Sequence, residues 1–171
     1  MRPKENFKEY LLFVTTSDKY TEAMCDKASG GLYPAVNNSD VLSYKVYIPD
    51  EETLKRVSDI YHQADKSEFD GFKSQFIEDF RDKNPNGCIR DMIETDIKSV
   101  KKSFAADDLI EYIDISSINA VSRSIKETTT HIVKSAPSRA QQCVKHGDIL
   151  VSTVRPINRN LSRCLKVNSQ R

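Results

Sequence analysis

Between Pro49 and the turn Asn84-Pro85-Asn86-Gly87 runs a proline-free stretch whose apolar residues fall at three- and four-residue steps. Leu54, Val57, Ile60, Tyr61 and Ala64 make one stripe, and Phe69, Phe72, Phe76 and Phe80 resume it. That spacing predicts an amphipathic helix. Pro49 and the acids Asp50, Glu51 and Glu52 start it, because carboxylates in a first turn meet the positive end of the helix dipole. Asn84-Pro85-Asn86-Gly87 stops it, and Asp70-Gly71 marks the expected place for a break or a kink. Unbroken from Glu51 to Phe80, such a helix would be about 45 Å long at about 1.5 Å per residue. A small domain cannot hide a stripe of that length. It is therefore expected to pack on a partner helix, in the same chain or another.

The flanks read differently. Tyr10–Val14 is apolar, Ser17-Asp18 is an N-cap signal before a helix over Lys19–Lys27, and Ser29-Gly30-Gly31 ends it. Tyr33–Asn38 is a loop, Ser39-Asp40 opens a short element, and Ser43–Ile48 alternates as a strand with Tyr44, Val46 and Ile48 on one face. Beyond Gly87, the spacing of Ile89, Met92, Ile93, Ile97 and Val100 predicts a second, shorter helix over Cys88–Phe104, followed by a linker over Ala105–Asp108. From Leu109 the chain is β-rich. Ile113, Ile115 and Ile118 sit near a strand-like alternation, Ala136–Ala140 is a loop, Lys145-His146-Gly147-Asp148 is a tight turn, and Ile149–Val154 is a short apolar run ending at Arg155-Pro156. The expected fold class is α+β: β-rich halves over residues 1–50 and 109–171, joined by the long amphipathic helix over 51–84 and a second helix and linker over 85–108.

Charge divides along the same line. The chain of 171 residues carries a net +1, but residues 1–87 hold 12 basic and 16 acidic side chains and residues 88–171 hold 14 and 9. Ile115–Arg171 has ten basic residues against Glu127 and Asp148 alone, a balance of +8. Such asymmetry fits a polyanion-binding face, and equally a solvated basic face. Charged residues are 30% of the chain and mean hydropathy is −0.56, with no apolar run of membrane-spanning length. The N-terminus lacks an export signal, so a cytoplasmic protein is expected. Cys25, Cys88, Cys143 and Cys164 form no C-x-x-C pair and read as reduced thiols. With His62, His131 and His146 they give no zinc spacing, and neither a Gly-rich phosphate loop nor a Walker motif is present. No metal and no cofactor is expected. Cys143 and His146 invite a thiol–imidazole reading, but nothing in the sequence places an orienting third group.

Four stretches together carry a resemblance. Tyr112–Ile118 (YIDISSI), Ala136–Ala140 (APSRA) and Gly147–Pro156 (GDILVSTVRP), in this order and at these distances, resemble a target recognition domain of a type I restriction-modification specificity (S) subunit. The run Ala28–Phe69 resembles the end of such a domain entering its conserved helix: Gly30-Gly31, Asn38-Ser39-Asp40, Ile48-Pro49 and Glu51–Phe69 fill the places of the Gly-containing loop, the Asn-Ser-Asp-like turn, the strand closing in Ile-Pro and the long helix. The resemblance covers nearly the whole chain in an unusual frame. The family carries two complete recognition domains and two long helices, whereas this chain has the back of one, one helix and the front of another. Glu51-Glu52-Thr53 replaces the usual Glu-Gln after the proline.

The resemblance implies a non-catalytic subunit that reads double-stranded DNA. Chemistry would lie on partners: a methyltransferase subunit and a translocase-nuclease subunit. No Asn-Pro-Pro-Tyr or Asp-Pro-Pro-Tyr box is present. Ser138 and Arg139, on a loop stiffened by Pro137, can donate to phosphate or a base edge; alternatively Arg139 pairs structurally with Asp148 or a carbonyl. Arg155, Asn158 and Arg159, at a strand end, suit phosphate clamping or bidentate base readout. Arg123, Lys126 and Lys134 supply general phosphate attraction. Asn37, Asn38 and Ser39 can help from the other half, or serve only the turn. Leu54, Val57, Ile60, Tyr61 and Ala64 form the partner-helix interface. Two rivals stand beside this reading: a truncated or recombined interaction module that keeps the helix without reading DNA, and a small hydrolase using Cys143. The chain ends, LSRCLKVNSQR and MRPKENFKEYLLF, look like two sides of one cut. The halves are expected to complete each other as a permuted single domain or as a swapped homodimer, or to remain an incomplete fragment.

Overall fold

The computed structural model describes residues 1–63, 71–72, 76, 80, 83–119, 122, 124–158 and 161–163, the last three by their backbone. The chain forms two units, each assembled from segments remote in sequence. One holds Met1–Arg2, Glu94–Ser152 and Asn160–Arg171; the other holds Pro3–Ile93 and Thr153–Arg159. Helices and two-stranded sheets mix, as an α+β chain should. The strand β1 (Arg2–Pro3) contains the first unit boundary.

The helical unit is built on α1 (Lys8–Thr15), where Tyr10, Leu11, Leu12 and Phe13 are all buried. A helix apolar on most sides must be covered on most sides. α2 (Asp18–Lys27) starts where Ser17 Oγ accepts the Tyr20 amide at 3.2 Å, and it buries Tyr20 and Met24 one turn apart. α3 (Asn38–Leu42) is opened by a capping box in which Asp40 accepts the Asn37 amide at 3.1 Å. β2 (Lys45–Val46) follows. α4 (Glu51–Gln63) begins where the Asp50 carboxylate accepts the Thr53 amide at 2.8 Å, and it turns Leu54 and Val57 onto α1. β3 (Gly87–Cys88) returns antiparallel to β2, with Val46 opposite Gly87.

That return excludes the unbroken form of the helix over 51–80. The Phe80 ring stacks on Tyr47 with centroids 5.1 Å apart. Asn86 clamps Ile48 from both sides: its Oδ1 accepts the Ile48 amide at 2.6 Å and its Nδ2 donates to the Ile48 carbonyl at 3.1 Å. Residues either side of the segment are therefore neighbours, which a straight rod of about 45 Å forbids. A Cβ at Gly87 would run into the end of the Ile48 side chain, which would have to turn aside. The phenylalanine stripe is used within the unit: Phe76 is buried and meets Tyr10 and Phe13 edge-on at 6.2 and 5.9 Å. The seam leaves a cavity of about 300 Å³ with Tyr44, Tyr47 and Lys83 among its lining.

The second expected helix, over Cys88–Phe104, is a further correction. Ile89–Met92 is a 3₁₀ turn, Ile93–Glu94 is the strand β4, and only α5 (Val100–Ser103) is α-helical. Asp91 accepts the Cys88 amide at 2.8 Å and fixes the tight turn. Ile89, Met92, Ile93 and Val100 are buried, so the apolar spacing reported burial without the helix.

The β-rich unit pairs β5 (Leu109–Tyr112) with β8 (Thr129–Ile132), β6 (Ile118–Asn119) with β7 (Ser124–Ile125), and β9 (Ile149–Val151) with β10 (Leu161–Arg163), all antiparallel. The alternation expected through Ile113 and Ile115 stops at Asp114, whose Oδ1 accepts the Ile115 amide at 2.6 Å and opens a 3₁₀ turn over Ile115–Ser117. Its described core is thin: Val100 and Ile149 are its buried apolar side chains. A polar joint supplements it. Arg2 Nε and Nη2 each donate to the Asp148 carboxylate at 3.0 Å, and the pair is 11% and 5% exposed.

Candidate nucleic-acid interface

The β-rich unit carries twelve lysines and arginines against eight aspartates and glutamates; the helical unit carries fourteen against seventeen. The charge asymmetry of the sequence thus survives in the folded units. Asp148, one of two acids in Ile115–Arg171, does not face solvent. It is buried against Arg2 and also accepts the Lys145 amide at 2.9 Å, closing the turn in which Gly147 has φ +89°. The Asp148 partner is thus Arg2 rather than Arg139. The bond to Asp148 raises the Arg2 pKa.

Ser138 and Arg139 are exposed on a turn closed by the Ala140 amide on the Pro137 carbonyl at 2.8 Å. Pro137 fixes the backbone there, so both side chains project from a short, tied loop. Lys126 is exposed beside β7, its amide bonded to the Ser117 carbonyl at 2.8 Å. Lys134 lies in a 3₁₀ turn with Nζ 2.5 Å from Asp107 Oδ1, so a carboxylate already opposes its charge. Arg123, Arg159 and Ala64 lie outside the described residues. Leu54 and Val57, expected on a partner-facing stripe, are buried on the chain's own α1; Ile60 and Tyr61 are half-buried on α4.

Arg155 and Asn158 sit in the helical unit, and there the structure brings together two candidate sets that the sequence kept apart. The Val36 amide donates to the Thr153 carbonyl at 2.9 Å, the Arg155 amide donates to the Pro34 carbonyl at 2.7 Å, and Ala35 bridges Val154. The strand end over 153–158 is thereby laid along the loop before Asn37-Asn38-Ser39. Arg155 is the one non-glycine residue with positive φ among those described, at 49°, a conformation that neighbouring contacts must hold. Its guanidinium lies 4.4 Å from the Tyr33 ring centroid and donates to the Leu32 carbonyl at 3.0 Å. Asn158 is exposed, its amide bonded to the Arg155 carbonyl at 2.9 Å.

Arg2, Leu32 and Tyr33 are the participants that sequence reasoning missed. For Leu32 and Tyr33 a signal existed: two large apolar residues inside a Gly-Gly and Pro loop, where burial is hard to arrange. For Arg2 there was none. Cys143 has backbone partners, donating its amide to Lys98 and accepting Arg2 on its carbonyl. Among the described residues no three His, Cys, Asp or Glu side chains gather as metal ligands, and no helix is long and apolar enough to cross a membrane. Comparison with protein-family models, curated proteins and solved structures finds no match for this chain.

Proposed function

We propose that this chain is a DNA-reading specificity subunit, partial or permuted in layout, of a type I restriction-modification system. The observation that carries the reading is the meeting of Leu32–Val36 with Thr153–Arg155. These stretches belong to the two runs that resemble the back and the front of a recognition domain, and they hydrogen-bond in one unit. Such bonding supports a joined layout for these two stretches; the apolar runs Tyr10–Val14 and Ile149–Val151, also expected to meet, belong to different units. The basic balance of the β-rich unit, with Asp148 neutralised internally, supports affinity for a phosphate backbone through counterion release. Exposed Ser138, Arg139, Arg155 and Asn158 are the candidates for base-edge contacts, and Lys126 for phosphate.

The approach of Phe80 and Asn86 to Tyr47 and Ile48 bears on the alternative reading. An interaction module without DNA binding needs a free apolar helix face, and Leu54, Val57 and Phe76 are taken up by the chain's own core. Partners on this reading are duplex DNA and a methyltransferase subunit, with a translocase-nuclease joining for cleavage. The test is fluorescence anisotropy on duplexes recovered from a random pool, at two salt concentrations. Binding that weakens steeply with salt supports the reading. Failure to bind duplex, alone and with a type I methyltransferase subunit, removes it.

A further inference from the structure

Leu32, Tyr33 and Ile157 are 84%, 66% and 66% exposed in the same unit. Isolated apolar side chains on a surface need no explanation, but these are not independently placed. Leu32 and Tyr33 are consecutive, and Arg155 holds both by stacking on the Tyr33 ring and bonding the Leu32 carbonyl. Ile157 lies two residues beyond Arg155, in the 3₁₀ turn Pro156–Asn158 that packs against α2. The loop is tied at its base by reciprocal bonds between Ser29 and Ala35 at 3.0 and 2.9 Å. A tied loop presenting two large apolar side chains, with a guanidinium fixed behind them at strained φ, is organised around its tip.

We propose that Leu32 and Tyr33 form a wedge that enters a base step of duplex DNA, with Arg155 as its brace. The inference rests on the DNA reading and adds to it a mode of contact, local unstacking. Apolar side chains inserted between base steps kink a duplex, and the cost is met by the contacts the kink allows. Charge around the tip is compatible. The two stretches that meet at the tip, Ala28–Asn38 and Thr153–Asn158, contain no acid; they contain Arg155, Asn37, Asn38 and Asn158. The nearby α2 carries Asp18, Glu22 and Asp26, so a general basic field does not draw the tip to DNA; stacking and the one fixed guanidinium must do so. The Tyr33 ring then has two partners, Arg155 on one side and a base on the other, and its hydroxyl has no part.

The experiment uses the full chain and selected duplexes with 2-aminopurine placed at successive steps, whose fluorescence rises on unstacking. Wild type at saturation should raise the signal at one position. Leu32→Ala/Tyr33→Ala should lose that rise and bind roughly tenfold more weakly, the size of a lost stacking contact. Tyr33→Phe should keep it. Arg139→Ala should weaken binding yet retain the rise once saturated. Both wedge residues are exposed, so circular dichroism should show an intact fold. A rise that persists in the double alanine variant overturns the wedge while leaving the DNA reading intact. So does a double variant that binds DNA as wild type but changes the sedimentation of the chain, which would make the tip a protein contact. Absence of duplex binding by wild type removes the DNA reading and the wedge together.

Discussion

Phe80 stacks on Tyr47 at 5.1 Å between centroids and 22° between planes, and Lys83 Nζ caps the Tyr47 ring at 4.8 Å. The two rings flank a segment whose apolar period suggested a rod. Because the chain comes back, Phe76 is buried in the helical unit's core and Phe72 and Phe80 make ring contacts there. Phe76→Ala should then cost about 3–5 kcal/mol, the range for a buried phenylalanine. Chemical denaturation checks it. A stable variant that only changes oligomeric state would restore the association-stripe reading.

Arg2 and Asp148 hold the β-rich unit where its apolar core is thin. Removing one partner of a buried pair strands the other charge. Arg2→Ala should destabilise the unit by about 3–5 kcal/mol, seen as a lowered denaturation midpoint. Arg2→Lys should recover only part, because one ammonium cannot reproduce the two parallel bonds from Nε and Nη2.

Local chemistry was legible in the sequence, and long-range pairing was not. Ser17, Asp50 and the Lys145–Asp148 turn are as their residues require, since a cap or turn is decided by side chains a few positions away. The helix expected over Cys88–Phe104 failed because three- and four-residue spacing is also met by a 3₁₀ turn followed by a strand when both are buried. The stripe on α4 was read correctly as a packing face, but its partner, α1, lies earlier in the same chain. The bonds of Arg2 to Asp148 and of Arg155 to the Leu32–Tyr33 loop join distant residues of opposite sequence halves, and no periodicity carries that information.

Asp50 offers a pH test. The hydrogen bond from the Thr53 amide holds its carboxyl below the ordinary 3.8. A depressed folded-state pKa contributes stability that is present above the unfolded value and lost as pH falls through the folded one. The cap contribution should therefore be intact at neutral pH and fade below 3.8. Asn accepts the same bond without titrating. In Asp50→Asn the acid limb of the stability profile should be shallower than in wild type, measured as denaturant midpoints from neutral pH down to about pH 3. Identical limbs would mean that the cap does not couple to α4.

Arg139 and Arg155 should fail differently, because their settings differ. Arg139 projects from a tied loop with an exposed side chain, so Arg139→Ala removes a contact without disturbing structure. If it reads a base edge, the loss should be about 1–3 kcal/mol and confined to one position of the selected site. Lys126→Ala should instead weaken all duplexes alike and lower the salt dependence by about one phosphate contact. Arg155 also holds the Tyr33 ring and the Leu32 carbonyl, so Arg155→Ala releases the loop as well as a charge. Its loss should exceed that of Arg139→Ala, and it should abolish the 2-aminopurine rise that Arg139→Ala preserves. Anisotropy and 2-aminopurine fluorescence on the same duplexes decide the matter. Equal losses for the two arginines, with the rise retained in both, would assign Arg155 to phosphate contact alone.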